Sequence, residues 1–344
     1  MKIECPSCHK AYDIPDERLP VGKRIAFACP GCKGRIMLDL RSNSGQGKES
    51  VPSEPHMKEQ PSGEALANKI LKSLDNLPPM PHVVFKAKEI MVDPDSSVRD
   101  LSRIIETDQS IVSKVLKLAN SAYYGVRGKV SSIHHASTLL GLETLGEVVM
   151  MAGISGFLGK SMKGYQQEAG DLWQHSIAVA VCSRIIAGKK IPELKDNGYM
   201  AGLIHDIGKI VLDPYIFERK EEFEGLLGDE QQTFLNAEKQ ILGFDHAEIA
   251  FEICKKWNFP EDIAFAVRYH HHPSLAQGNE LSYIVHVSDY IAMLSGIGYG
   301  SDSLLYQVEE DTMNFLSLNQ EDISNILLEV IEAVQQITEE VQKT

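Results

Sequence analysis

The sequence predicts an all-α body preceded by a small cysteine-bearing segment on a flexible tether, and three observations carry that expectation. Beyond residue 64, apolar residues recur at spacings of three and four almost throughout. No run of alternating strand segments interrupts them. Between the two parts, residues 41–63 read RSNSGQGKESVPSEPHMKEQPSG, with Val51 and Met57 as their only large apolar side chains. Such a stretch buries too little surface to offset the entropy of ordering it, and so reads as a linker.

Residues 1–40 come first. Cys5-Pro-Ser-Cys8 and Cys29-Pro-Gly-Cys32 are two C-x2-C knuckles with twenty residues between them. Two tight turns, each presenting a pair of thiolates, fit the tetrahedron that one zinc ion requires. Lys10 and Lys33 follow the knuckles and partly offset the negative charge of four thiolates. A forty-residue piece has too little core to fold without its metal, so the zinc is expected to be structural. Through CPSCHKAYDIPDERLP and CPGCKGRIML the segment resembles a prokaryotic zinc-ribbon family, which implies a small β-rich fold.

The helical elements follow in order. HVVFKAKEIM has helical period and is entered through Pro78, Pro79 and Pro81. In SIVSKVLKLANS, Ile111, Val112, Val115, Leu116 and Ala119 share one face, and Gly125 follows the end. Asp245 is placed to cap a helix from His246 to Trp257, with Glu248 at the reciprocal position of a capping box. ISNILLEVIEAVQQI closes the chain as an amphipathic helix, with a face for its own domain or for a second copy. Cys182 and Cys254 lie among apolar residues and read as core.

Net charge is −14, unevenly spread: +2 over residues 1–40, zero over 41–63, and −16 over 64–344, where 24 Lys/Arg face 40 Asp/Glu. A body this acidic disfavours docking on nucleic acid, and the ribbon's +2 is a weak footprint for it. No apolar run reaches the roughly 18 residues of a membrane span. The N-terminus lacks the apolar region of a signal peptide, so a cytoplasmic location is the default expectation.

Chemistry is expected where polar residues occupy core positions. His175 lies three, four and seven residues before Ala178, Val179 and Cys182 and shares their face. Asp289 lies four after Val285 and three before Ala292; a carboxylate there is costly unless it is paired or bound to a cation. His205-Asp206 ends an apolar run in GLIHDIGKIVL, His246 opens a helix, and His270-His271 closes another just before Pro273. Imidazoles and carboxylates suit Fe, Mn, Zn or a similar divalent ion, and the set is large enough for one or two such ions. Asp206 is the candidate bridge between two ions, and Lys209 the candidate partner of a substrate phosphate. The bland alternative has each histidine bonded to a backbone carbonyl and Asp289 paired with His286 on the adjacent turn. His82, His134 and His135 have no carboxylate near them in sequence and read as structural, and His272 as a solvated end residue.

Residues from about 66 to 300 resemble the HDOD domain, the HD-related output domain of bacterial signalling proteins. The resemblance rests on NLPPMPHVVFKAKEIMVDPDSSVRDLSRIIETDQSIVSKVLKLANSAYYG and VSSIHHASTLLGLETLGEVVM, followed by LWQHSIAVA, GLIHDIGKIVL, GFDHAEIAFEICKKWNFP and AVRYHHHP. It implies two packed helical lobes (64–160 and 161–300, with a helical tail at 301–344) and a role in signal output through protein partners. His175, His205, Asp206, His246, His270, His271 and Asp289 look like ligand positions of the related HD-GYP phosphodiesterases, and Lys209 matches their pattern as well. HHHPSLAQGNELSYIVHVSD lacks the Gly-Tyr-Pro loop of those enzymes, and GIGYG at 296–300 lies on the wrong side of Asp289 to replace it. A regulatory module is therefore expected, with a metal-dependent phosphohydrolase acting on a nucleotide or phosphoester as the alternative.

Overall fold

A computed structural model describes residues 2–4, 10–13, 24–28, 35–39, 63–228, 232–298, 308–309 and 311–342. The chain divides into two compact units, Met1–Glu59 and Gln60–Thr344. In the first, β1 (Lys2–Glu4) pairs antiparallel with β2 (Ala11–Asp13), and β3 (Arg24–Ala28) with β4 (Arg35–Asp39). Cys5, Cys8, Cys29 and Cys32 lie outside the described residues, as does the expected linker apart from Gly63.

The second unit is helical, as the period of its apolar residues predicts. It begins with α1 (Glu64–Ser73), followed by a first lobe of α2 (His82–Val92), α3 (Val98–Ile105), α4 (Gln109–Ala119) and α5 (Ile133–Leu158). Its second lobe holds α6 (Asp171–Lys190), α7 (Lys195–Ile204), α8 (Lys209–Glu218), α9 (Lys220–Leu226), α10 (Phe234–Leu242), α11 (His246–Lys256), α12 (Glu261–Arg268) and α13 (Glu280–Ser295). The short α14 (Thr312–Phe315) and the long α15 (Gln320–Gln342) follow. α15 packs on α6 and α13, burying Ile326, Val330, Val334 and Ile337, while Leu328 on its outer face is 66% exposed.

α5 is the centre of the first lobe, with α2, α3 and α4 packed against it. It turns at Gly141, whose φ of 75° is open to glycine and strained for other residues. This helix corrects one expectation. At 26 residues and mean hydropathy 1.3 it is long and apolar enough to cross a membrane. Reading for an unbroken apolar run missed it because Glu143 and Glu147 interrupt the run without much lowering its average. In the fold α5 is a core helix, with Val148 to Ala152 all buried.

A lysine ties the lobes. Lys88 of α2 donates to the carbonyls of Trp257 and Asn258 at the end of α11, and its ammonium sits 4.7 Å from the Phe259 ring centroid. That arrangement places a cation just past the C-terminus of α11, where the helix dipole favours one.

The helix starts follow capping chemistry. Asp108 accepts from the backbone N–H groups of Ser110 and Ile111, and Ser97 forms a capping box with Asp100. At α11 both expected capping-box bonds form: Glu248 N–H to Asp245 at 2.7 Å, and Asp245 N–H to Glu248 at 3.2 Å. Lys239 adds a contact at 2.9 Å to the other Asp245 oxygen. Replacing Asp245 with alanine is expected to cost about 1–2 kcal/mol, read as a lower urea midpoint at unchanged slope.

Candidate metal centre

Five segments of the second lobe converge on one buried point. α6 contributes His175 from its second turn. His205 and Asp206 occupy the tight turn between α7 and α8. His246 is the first residue of α11, His270 and His271 follow the end of α12, and α13 contributes Asp289. His175, His205, Asp206, Lys209, His246, His270 and Asp289 are all at most 3% exposed, and His271 is partly buried.

Glycines let these segments approach. A Cβ on Gly202 would lie 2.8 Å from the Val179 carbonyl oxygen, so the absence of a side chain lets α7 rest on the backbone of α6 and brings His205 beside His175. A Cβ on Gly208 would collide with the His246 carbonyl and lie 2.8 Å from the Ala250 nitrogen, so α8 lies directly on α11. Gly298 sits against the start of α6, where a Cβ would lie 2.7 Å from that of His175. The GIG turn thus backs the site rather than serving as a ligand loop.

Three imidazoles are held the same way. His205 Nδ1 lies 2.8 Å from the Gly202 carbonyl oxygen, His270 Nδ1 2.7 Å from that of Val267, and His246 Nδ1 2.8 Å from Glu238 Oε2. An acceptor on Nδ1 places the ring proton there and leaves Nε2 as the lone-pair donor. Those Nε2 atoms face the carboxylates. His205 Nε2 is 3.3 Å from Asp206 Oδ2, while His246 Nε2 and His270 Nε2 are 3.3 and 3.9 Å from Asp206 Oδ1. Asp289 Oδ1 is 3.0 Å from His175 Nε2 and 3.8 Å from His205 Nε2. The two oxygens of Asp206 thus face different histidines, the disposition a bridging ligand needs. Lys209 Nζ pairs with Asp206 Oδ2, and both are buried.

The arrangement has polar atoms to spare. His205 Nε2 and His270 Nε2 are buried with no well-formed hydrogen bond, and the equally buried His175 Nε2 and Asp289 Oδ1 have only each other, 3.0 Å apart. Such atoms are rare in a native interior, and four converging at one place fit a bound cation. Three overlapping sets bring their ligand atoms within 4.8 Å of one another: His175, His205 and Asp206; His205, His270 and Asp289; His246, His270 and His271.

The electrostatics divide the histidines. Burial, helped by His205 and His246, drives the His270 imidazole down to about 3, and burial likewise holds His271 well below the usual histidine range. Both are therefore neutral, the form that ligates. Burial would also lower His246 and His205, but Glu238 and Asp206 raise the first to about 9 and Asp206 raises the second, so an ion bound there displaces a proton from each. Burial opposes ionisation of Asp206, yet His205, Lys209 and His246 hold its carboxyl well below the ordinary range.

Asp289 does not pair with His286, whose Nδ1 lies 2.7 Å from the His270 carbonyl oxygen and whose Nε2 accepts from Glu309 N–H at 3.0 Å. His82 and His134 are exposed and lie apart from the site, as does the half-buried His135; His272 is exposed, 3.6 Å from Glu309. Cys182 and Cys254 are buried free thiols. Sequence reasoning missed Glu238 and Tyr165. Glu238 carried a usable signal, because Phe234 four before it and Leu242 four after it place its carboxylate on an apolar face, the same pattern that marked Asp289. Tyr165 lies between helices, where no period marks it.

Residues 77–273 match a family model described as the HDOD domain, and residues 1–37 one described as a zinc-ribbon domain. An uncharacterized protein of Treponema pallidum (strain Nichols) is 24% identical over 207 residues, covering 60% of this chain and 40% of that protein. Among solved structures, an HDOD domain protein of unknown function from Geobacter sulfurreducens superposes with a TM-score of 0.66 at 26% identity, over 81% of this chain and 96% of that one. A candidate phosphohydrolase from Shewanella amazonensis SB2B (TM-score 0.61, 22% identity, 79% and 97% coverage) shares the fold. So does a candidate signal transduction protein from Marinobacter aquaeolei VT8 (TM-score 0.63, 22% identity, 80% and 65% coverage).

Proposed function

The chain belongs to the HDOD domain family, and from that premise we propose that it is a signal-transduction module: the helical unit holds a divalent metal in its buried centre and acts through protein partners. The observation that carries the metal is the convergence of buried ligand atoms of His175, His205, His270 and Asp289, with more lone pairs than donors, around the two-sided carboxylate of Asp206. His175, His205, His246, His270, His271, Asp206 and Asp289 would hold one or two ions of the Fe, Mn or Zn type. A second metal, zinc on Cys5, Cys8, Cys29 and Cys32, is proposed for the ribbon from the spacing of its cysteines.

The burial of the centre favours a regulatory role over turnover. A catalytic metal keeps an open position for substrate, whereas here the carboxylates and all candidate histidines but His271 are at most 3% exposed. Lys209 is held by Asp206 and is not extended toward an incoming phosphate.

A phosphohydrolase acting on a nucleotide or phosphoester is the second reading, favoured by the completeness of the His/Asp set. When bound, a divalent ion at such a set supplies Lewis acidity and an activated water to phosphoester cleavage. The chain's own part would be to hold Asp206 ionised between the histidines, to keep His270 and His271 neutral, and to exclude bulk water. The full chain, purified with and without added Mn2+, is the material for the test. Bound metal by elemental analysis with no cleavage of bis-p-nitrophenyl phosphate is the expected result. Cleavage that disappears in Asp206→Asn would replace the regulatory reading with the enzymatic one. The absence of metal beyond that of the ribbon would remove both.

A further inference from the structure

We propose that Glu238, held in turn by Tyr165, is the positioning residue that sets the ring tautomer and orientation of His246 for the metal. The inference rests on the metal reading above and adds a residue that lies outside the ligand set.

His205 and His270 obtain their Nδ1 acceptor locally, from the carbonyl three residues earlier in the same turn. His246 has no preceding helical turn, because it is the first residue of α11. Its backbone N–H is also one of those a helix start leaves without an intrahelical partner. Glu238 answers both needs. Its Oε2 accepts from His246 N–H and from His246 Nδ1, each at 2.8 Å.

The carboxylate is itself fixed. Glu238 is fully buried on α10, and Tyr165 Oη donates to its Oε1 at 2.5 Å. Tyr165 is fully buried as well, with its ring centroid 5.2 Å from that of Phe234. Asp213 Oδ1 holds the Tyr165 segment by accepting from the N–H groups of Gly164 at 2.7 Å and Tyr165 at 3.3 Å. The chain Asp213, Tyr165, Glu238, His246 holds the ring in one orientation, with Nδ1–H on Glu238 and Nε2 directed to Asp206 Oδ1 at 3.3 Å and His271 Nε2 at 2.7 Å. A carboxylate is also a stronger acceptor than a carbonyl, so it makes Nε2 the better electron donor.

The test uses the full chain and two readouts. Mn2+ binding followed by electron paramagnetic resonance reports the helical centre, because thiolates of the ribbon discriminate against that ion. Selective 15N-histidine spectra report which nitrogen of His246 carries the proton, with His246→Gln giving the assignment. Glu238→Met keeps the length of the side chain and removes the acceptor. The expected result is a 10- to 100-fold rise in the Mn2+ Kd, with loss of the fixed His246 Nδ1–H signal and an unchanged circular dichroism spectrum. Tyr165→Phe is expected to keep the Nδ1–H signal and raise Kd by about threefold, and it carries the comparison if Glu238→Met does not fold. An unchanged Kd in both variants, or an unchanged Nδ1–H signal in Glu238→Met, overturns the proposal. If the wild-type chain binds no Mn2+ yet its Nδ1–H signal depends on Glu238, the positioning role stands and the metal reading fails.

Discussion

Asp206→Asn is expected to empty the helical centre of metal while leaving the ribbon's zinc in place. One oxygen of Asp206 faces His246 and His270, and the other faces His205 and Lys209. An amide cannot serve both sides: it offers one oxygen, and its NH2 would oppose whichever partner the other oxygen had. The change also removes the carboxylate paired with the Lys209 ammonium, which is 3% exposed. Removing one member of a buried ion pair costs about 3–5 kcal/mol, because the remaining charge stays in a poorly solvated place. The metal-free variant should therefore be less stable than the metal-free wild type by about that amount. A second change separates the two effects. Asp206→Asn with Lys209→Met removes the stranded charge and should recover most of the stability, but none of the metal. Elemental analysis and urea unfolding in chelator read the two quantities. Metal retained by the single variant would refute the role of Asp206, and a double variant no more stable than the single would refute the buried pair as the cause of the loss.

The candidate ligands were legible because burying them is expensive. A histidine or aspartate on a face otherwise made of alanine, valine and cysteine contradicts its surroundings, and that contradiction marked His175 and Asp289 before any fold was known. Helix starts were legible for a local reason: a capping box is written within four residues, as Asp245 and Glu248 show. What stayed hidden depends on tertiary distance. Nothing adjacent in sequence says that Glu238 reaches His246, because the two lie on different helices and meet only after α10 and α11 pack. That Lys209 pairs with Asp206 is likewise decided by the burial of both. α5 showed the converse error, since two glutamates broke the apolar run without moving the helix out of the core.

Gly208→Ala is expected to loosen the same centre without touching a ligand. Gly208 has ordinary right-handed helical dihedrals, φ −62° and ψ −28°, so no backbone freedom is at stake. The requirement is space. An added methyl would meet the carbonyl carbon of His246 at 2.9 Å and the nitrogen of Ala250 at 2.8 Å, and both are backbone atoms that no side-chain rotation can clear. α8 must therefore move off α11. That motion separates Asp206, two residues before Gly208, from His246, where 3.3 Å now lies between Oδ1 and Nε2. Overpacking of this kind costs about 3 kcal/mol, the upper part of its usual range, because the clash is with backbone. Metal retention should fall with stability, since a ligand displaced by even half an ångström leaves the geometry a divalent ion selects. Gly225 in α9 supplies the control. It is exposed, a methyl there meets nothing within 4 Å, and Gly225→Ala should stabilise the protein by about 0.5–1 kcal/mol through its better helix propensity. If Gly208→Ala matched Gly225→Ala in urea midpoint and in metal content, the close approach of α8 and α11 would not be what holds Asp206 against His246.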